Sequence, residues 1–143
     1  MRRAVLLALV LPLLVACGDD KDDYCDAVTD HQEKLSELVS SGKPDAMLQA
    51  LDIFRDLQDQ APSDISDEWQ QVVGSVEALE KALDDADVDA STYDRDNPPA
   101  GLTAAEKKTI DDAAIRLGGA ETIQALEDLY QQARDVCHTP LTL

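Results

Sequence analysis

Aromatic residues are scarce in this chain of 143 residues: one Phe, one Trp and three Tyr. Any core it builds must therefore be mostly aliphatic. Positive charge is also in short supply, with 12 Lys and Arg against 30 Asp and Glu, a formal net charge of −18. Phosphate backbones and anionic lipid surfaces are both held by clustered Lys and Arg, so the balance excludes nucleic acid as an expected partner. His31 and His138 are the only histidines. Neither has the paired spacing of a zinc motif, and no Ser stands in a nucleophile elbow or beside a phosphate-binding loop. Without a nucleophile and its base, or an open metal site, no enzymatic activity and no cofactor are expected. No period-two run of β-branched residues is present either, which leaves an all-α domain.

The one long apolar run lies at the start. Arg2 and Arg3 precede an apolar segment from Ala4 to Val15, followed by small Ala16 and Cys17, the layout of a secretory signal. The segment is too short to span a bilayer, and Asp19 and Asp20 follow it rather than a basic stop-transfer flank. Leu14-Val15-Ala16-Cys17 resembles the lipobox of bacterial lipoproteins, in which the cysteine after the cleavage point receives a diacylglyceryl thioether and becomes the new N-terminus. The resemblance covers residues 1–17. It implies that residues 1–16 are a cleaved signal peptide and that Cys17 is a lipid anchor on the extracytoplasmic face of the cell membrane. Two acyl chains, at about 0.8 kcal/mol per buried CH₂, hold stably where one chain does not. Removing residues 1–16 takes away two basic residues and no acidic ones, which moves the net charge to −20.

Once Cys17 is assigned to lipid, Cys25 and Cys137 remain as a pair, and export places them where disulfides persist. A Cys25–Cys137 disulfide is expected. Residues 18–23, Gly-Asp-Asp-Lys-Asp-Asp, offer nothing to bury and read with Cys17 as a solvated tether, about 20 Å long if fully extended. The bundle domain then covers residues 24–140.

Apolar residues at helical spacing predict a first helix over about 23–40, through Tyr24, Val28, Leu35 and Leu38. A second is expected over about 44–60, with Pro44 at its first position and Leu51, Phe54 and Leu57 on its apolar face. A third follows an N-cap at Ser63 or Ser66 and runs through Ile65, Trp69, Val72, Val76 and Leu83. Gly74 inside it costs about 1 kcal/mol relative to Ala unless a neighbouring helix approaches closely there. Residues 84–101, rich in Asp and ending in Asn97-Pro98-Pro99-Ala100-Gly101, form the longest loop. Thr103 and Glu106 have the spacing of a capping box, and the apolar period continues to Cys137, interrupted at Gly118-Gly119.

A disulfide between the start of the first helix and the end of the last requires an even number of antiparallel passes, because a 17-residue helix is about 25 Å long. The expectation is an up-down four-helix bundle with its last helix broken at Gly118-Gly119.

Within the loop, Asp85, Asp87, Asp89 and Asp96 fall at relative positions 1, 3, 5 and 12 of a calcium loop. Ala90 stands where such a loop requires glycine, and Asp96 where it uses Glu, so these four are weak metal candidates and a solvated turn is the favoured reading. Trp69 is expected in the core. Tyr93, inside the acidic loop, either packs the loop onto the bundle or belongs to a partner surface.

Tyr24-Cys25 after the tether, Ala61-Pro62 followed by Ile65 and Trp69, and Asp135-Val136-Cys137 together make the chain resemble small, acidic, all-helical lipoproteins of actinobacteria. That type carries no assigned activity and brings no catalytic motif. The expected function is that of an interaction or structural module at the cell envelope, with a basic-surfaced envelope protein as partner. The alternative is a small ligand- or cation-binding lipoprotein using the 84–96 loop or a bundle pocket.

Overall fold

The computed structural model describes residues 19–141, and side chains from residue 21 onward. The signal segment, Cys17 and Gly18 lie outside the described residues. Among those residues there are helices and no strands. The helices are α1 (Asp19–Ser40), α2 (Ala46–Gln49), α3 (Leu51–Gln60), α4 (Ser66–Asp85), α5 (Ala104–Leu117) and α6 (Ala120–Gln132), and a π-helical turn, Ala133–Cys137, ends the last of them.

Helix α1 begins earlier than the apolar pattern indicates. The acidic segment assigned to a tether is helical from Asp19, with Lys21, Asp22 and Asp23 exposed. Carboxylates near a helix N-terminus are stabilised by the macrodipole, so an acid-rich stretch adjoining an amphipathic helix readily joins it.

The second expected helix is two. Pro44 is not its first residue but position i+1 of a β-turn, in which the Ala46 N–H donates to the Lys43 carbonyl at 3.2 Å. Proline's fixed φ suits that position as well as a helix start. Ala50 then separates α2 from α3, although the break is shallow. Its N–H donates to the Ala46 carbonyl at 3.1 Å and its own carbonyl accepts from the Phe54 N–H at 3.0 Å.

Neither Ser63 nor Ser66 caps α4. The N-cap residue is Ile65, without a side-chain cap, and the Ser66 hydroxyl donates back to the Ser63 carbonyl. Ile65 is buried, so docking an apolar side chain decides where the helix starts, and Asp67 and Glu68 in its first turn complement the dipole. Gly74 is exposed, and a Cβ built there would meet nothing within 4 Å. No close helix approach explains it.

The capping box of α5 forms as its spacing predicts. The Glu106 N–H donates to Thr103 Oγ1 at 3.2 Å, and the Thr103 N–H donates to Glu106 Oε2 at 2.8 Å. At the break, a Cβ on Gly119 would lie 3.1 Å from the Arg116 carbonyl oxygen and 3.2 Å from that of Ile115. The end of α5 closes over this residue, so a side chain here requires the α5 backbone to shift by a few tenths of an ångström.

Helix α4 is the element against which most others pack. It meets α3 on one side and α5 and α6 in succession on another, while α1 packs on α2, α3 and the π-helical turn. Ala82 and Leu83 of α4 pack with Ile110 and Ala113 of α5. Further back along α4, Gln71 and Ser75 meet Thr122 of α6 in a buried polar seam: Gln71 Nε2 donates to Thr122 Oγ1 at 3.0 Å, and the Ser75 and Thr122 hydroxyls are 3.1 Å apart. Thr122 is fully buried and lies 3.0 Å from the Arg116 carbonyl, which also accepts from the Gly119 N–H at the end of α5.

The larger core gathers α1, α3, α4, α6 and Leu141. Its centre is aromatic. Trp69, wholly buried, donates its indole N–H to Tyr24 Oη at 3.1 Å, and the Phe54 ring centroid lies 6.0 Å from that of Trp69. Cys25, the next residue after Tyr24, is bonded to Cys137 with Cα atoms 5.0 Å apart, and both half-buried cysteines pack on this core.

The disulfide closes a sequence separation of 112 residues. A double Cys25→Ser, Cys137→Ser variant is expected to lose about 4 kcal/mol of stability in the chain-entropy account, read as the urea midpoint against the oxidised parent. Burial, opposed by the Trp69 hydrogen bond, pushes the Tyr24 phenol from 10.0 up to about 12. An acid whose folded pKa is raised stabilises the fold fully below its unfolded pKa, so a contribution on the order of 2–3 kcal/mol should fade as pH rises from 10 to about 12. Tyr24→Phe removes that decline and, by leaving the Trp69 N–H buried without an acceptor, costs about 1–3 kcal/mol at neutral pH. Unfolding curves of parent and variant across this range check both effects.

Candidate functional site

Each residue singled out in the sequence has a definite local role. The four aspartates with calcium-loop spacing do not converge. Asp85 is held by Lys81 one helical turn earlier, at 2.7 Å. Asp87 adopts the left-handed conformation, φ 53°, and closes α4 in a Schellman arrangement: its N–H donates to the Asp84 carbonyl, and the Val88 N–H donates to that of Leu83. Asp is among the few non-glycine residues that tolerate this conformation. Asp89 accepts from the Ser91 hydroxyl and N–H at 2.7 and 2.8 Å, bonds that hold its carboxyl below the usual carboxylate range, the hydroxyl bond most strongly. Asp96 donates its own N–H to Asp94, whose carboxyl is lowered chiefly by the Asn97 side-chain amide and then by this N–H. The carboxylates of Asp89 and Asp94 are the internal fastenings of the loop.

The histidines have separate partners. Nε2 of His31 lies 2.7 Å from Oδ2 of Asp56 and links α1 to α3. His138 is exposed and left-handed, φ 56°, with its N–H donating to the Ala133 carbonyl to cap the π-helical turn. Among the described residues, no three His, Cys, Asp or Glu side chains are grouped to hold a metal ion. Among the same residues, no helix is long and apolar enough to cross a membrane.

Tyr93 packs inward. With Ala90 and Leu102 it brings the loop between α4 and α5 against a second, smaller core around Leu83 and Ile110. Packing is incomplete there. A cavity of about 200 Å³ remains between the loop and the helices, lined by Leu48 of α2, Leu79 and Leu83 of α4, Ile110 and Ala114 of α5, and Tyr93. The Tyr93 hydroxyl is buried and has no hydrogen-bond partner. At the cavity's polar edge Arg95 Nε lies 2.9 Å from Asp111 Oδ1, and Lys107 Nζ lies 2.9 Å from Asp111 Oδ2. The Lys107 hydrogen bond, joined by the Arg95 charge, holds the Asp111 carboxyl below its ordinary range although partial burial opposes this. Residue spacing signals part of the arrangement, since Lys107 and Asp111 stand four apart on α5. Reaching Arg95 and Tyr93 requires the loop's path, which local pattern does not encode.

A different face of the molecule is apolar and open. Ile123 and Tyr130 of α6 are 47% and 42% exposed, and Leu126 lies between them at helical spacing. The Arg134 guanidinium covers the Tyr130 ring, 5.6 Å from its centroid. The adjoining sector of α6 is the one buried in the fold, through Thr122, Ala125 and Leu129, and Leu126 packs partly against the same core. Helix α6 therefore carries one broad apolar sector whose outer edge, Ile123 and Tyr130, stays open to solvent.

The chain matches no protein-family model, no curated protein and no solved structure. Its functional reading rests on its own residues.

Proposed function

We infer that this is a lipid-anchored extracytoplasmic helical protein that acts as an interaction module at the cell envelope. The lipobox resemblance of Leu14-Val15-Ala16-Cys17 supplies the anchor at Cys17. The passes of the bundle are read as α1, α2 with α3, α4, and α5 with α6 and its π-helical turn, an up-down arrangement. It suits a disulfide that joins the first pass to the last.

The observation that carries the interaction reading is the outward face of α6. A stripe at i, i+3 and i+7 ending in an exposed aromatic is the form in which a helix presents anchors to a partner. The surroundings favour a basic partner. Of the ten Lys and Arg residues from Lys21 onward, seven are already engaged in ion pairs with neighbouring carboxylates, so the remaining acidic surface is largely uncompensated. Such a field steers a basic protein toward this surface and keeps nucleic acid and anionic lipid away.

Two measurements test the two halves of this reading. Replacing Cys17 with Ala should move the protein from the membrane fraction to the soluble fraction of envelope preparations, and retention in the membrane would overturn the lipid anchor. A photo-crosslinking amino acid placed at Ile123 or Tyr130 in intact cells should give one discrete protein adduct that the same group at Glu33 on α1 does not give. Identical adduct patterns at all three positions would remove α6 as the contact face.

A further inference from the structure

We propose that the open edge of α6 meets the extracytoplasmic part of a second protein held in the same membrane, a partner that carries Lys or Arg beside its apolar contact. The inference rests on the Cys17 anchor and on α6 as the contact face, and adds to them where the partner stands.

Reach is the first argument. Only Gly18 separates Cys17 from Asp19, where α1 begins. From Asp19 to Cys25 α1 rises about 9 Å, and from Cys137 back to Tyr130 the last helix covers about 10 Å. The Cα atoms of the two cysteines are 5.0 Å apart. Tyr130 therefore lies at most about 25 Å from Asp19, and Ile123 at most about 35 Å, whatever angle the helices make. The two residues back to Cys17 add no more than about 7 Å. The partner must bring its contact into this shell above the bilayer, where a protein anchored in the same membrane already stands.

The second argument is size. A standard interface buries about 800 Å² on each partner. The α6 edge offers two exposed large apolar side chains, Ile123 and Tyr130, with Leu126 partly buried beside them, and Arg134 already covers the Tyr130 ring. A contact this small is weak between freely diffusing proteins. Confining both to one membrane raises their effective concentration and multiplies occupancy without any new contact.

Charge decides between protein and lipid as the occupant. The start of α1, next to the anchor, exposes Asp22, Asp23 and Asp26. Glu127 is exposed beside Ile123 and Tyr130 on α6, and the net charge of the chain is −18. An anionic bilayer repels such a body, so α6 does not lie down on the lipid to which the anchor brings it. A protein with Lys or Arg around its apolar contact is drawn in by the same field.

The test places a photo-crosslinking amino acid at Tyr130 in three chains made at equal level in intact cells: the full chain, its Cys17→Ala variant, and the mature chain with Cys17→Ser behind a cleavable signal without a lipobox. An intact Cys25–Cys137 disulfide, read by thiol labelling, identifies the chains that are exported and folded. The full chain is expected to give a discrete adduct whose partner stays in the membrane pellet after carbonate washing and is joined through an extracytoplasmic residue. Release from the membrane should lower the adduct yield at least tenfold. Glu127→Lys in the full chain should lower it several-fold by placing like charge opposite the partner's Lys or Arg. A yield that survives release would overturn the shared-membrane partner, as would a partner with no membrane attachment. Adducts to phospholipid in place of protein would assign the edge to the bilayer and overturn the proposal, and a yield unchanged by Glu127→Lys would overturn the basic class. Failure of the underlying reading looks different: the full chain then gives no discrete adduct, and α6 is lost as a contact face along with this proposal.

Discussion

An indole N–H cannot be buried without an acceptor, and in this protein the acceptor comes from a residue 45 positions away. Trp69 and Tyr24 are both wholly buried, and the bond between them fixes the start of α4 against the start of α1. Phe54 brings α3 to the same point. Three of the chain's five aromatics thus meet where three helices do, and the aliphatic residues fill in around them. The disulfide reinforces this junction, because Cys25 follows Tyr24 directly and ties it to the end of the last helix. A hydrogen bond to a buried phenol specifies geometry, whereas the disulfide acts mainly on the unfolded chain by shortening the paths it can explore.

Away from that junction, order is set by polar groups that satisfy one another. Thr122 serves both the interface with α4 and the terminus of α5, meeting Gln71 and Ser75 across the helices and the Arg116 carbonyl along the chain. The break at Gly118-Gly119 is therefore a packed joint. Its steric requirement at Gly119 and its hydrogen-bonding requirement at Thr122 lie three residues apart. The acidic loop follows the same logic. Asp87 sets a backbone angle, while the carboxylates of Asp89 and Asp94 hold nearby N–H groups of the loop itself.

Features that depend on neighbours in sequence were legible in the sequence. The apolar period of α1, α3, α4 and α6, the Thr103–Glu106 capping box, the Gly118-Gly119 break and the burial of Trp69 all follow from spacing and residue type. The cysteine pairing was legible because the lipobox resemblance set one of the three thiols aside and left Cys25 and Cys137 as a pair. What escaped local reading was decided by tertiary contacts or by competition between equivalent local signals. Pro44 suits a turn as well as a helix start, and the turn prevails. Burial of Ile65 outweighs two serines able to cap α4. The acidic segment before Tyr24 is as compatible with a helix N-terminus as with solvated coil. Tyr93 was conspicuous as the aromatic of an acidic loop, but its inward packing depends on where the loop crosses α2 and α5. The π-helical turn, with His138 in a left-handed cap, carried no local signature.

The unbroken course of α1 from Asp19 to Ser40 changes what the residues ahead of Tyr24 mean mechanically. A coiled segment would determine only distance, and its length could vary freely. In a helix each residue also advances the azimuth by about 100°. An insertion of one residue between Asp19 and Tyr24 would leave the bundle's interior untouched and turn it by more than a quarter revolution relative to whatever precedes the helix. The acidic stretch therefore sets an azimuth as well as a distance between Asp19 and the bundle, and with it the direction in which the open side of α6 looks as seen from Asp19.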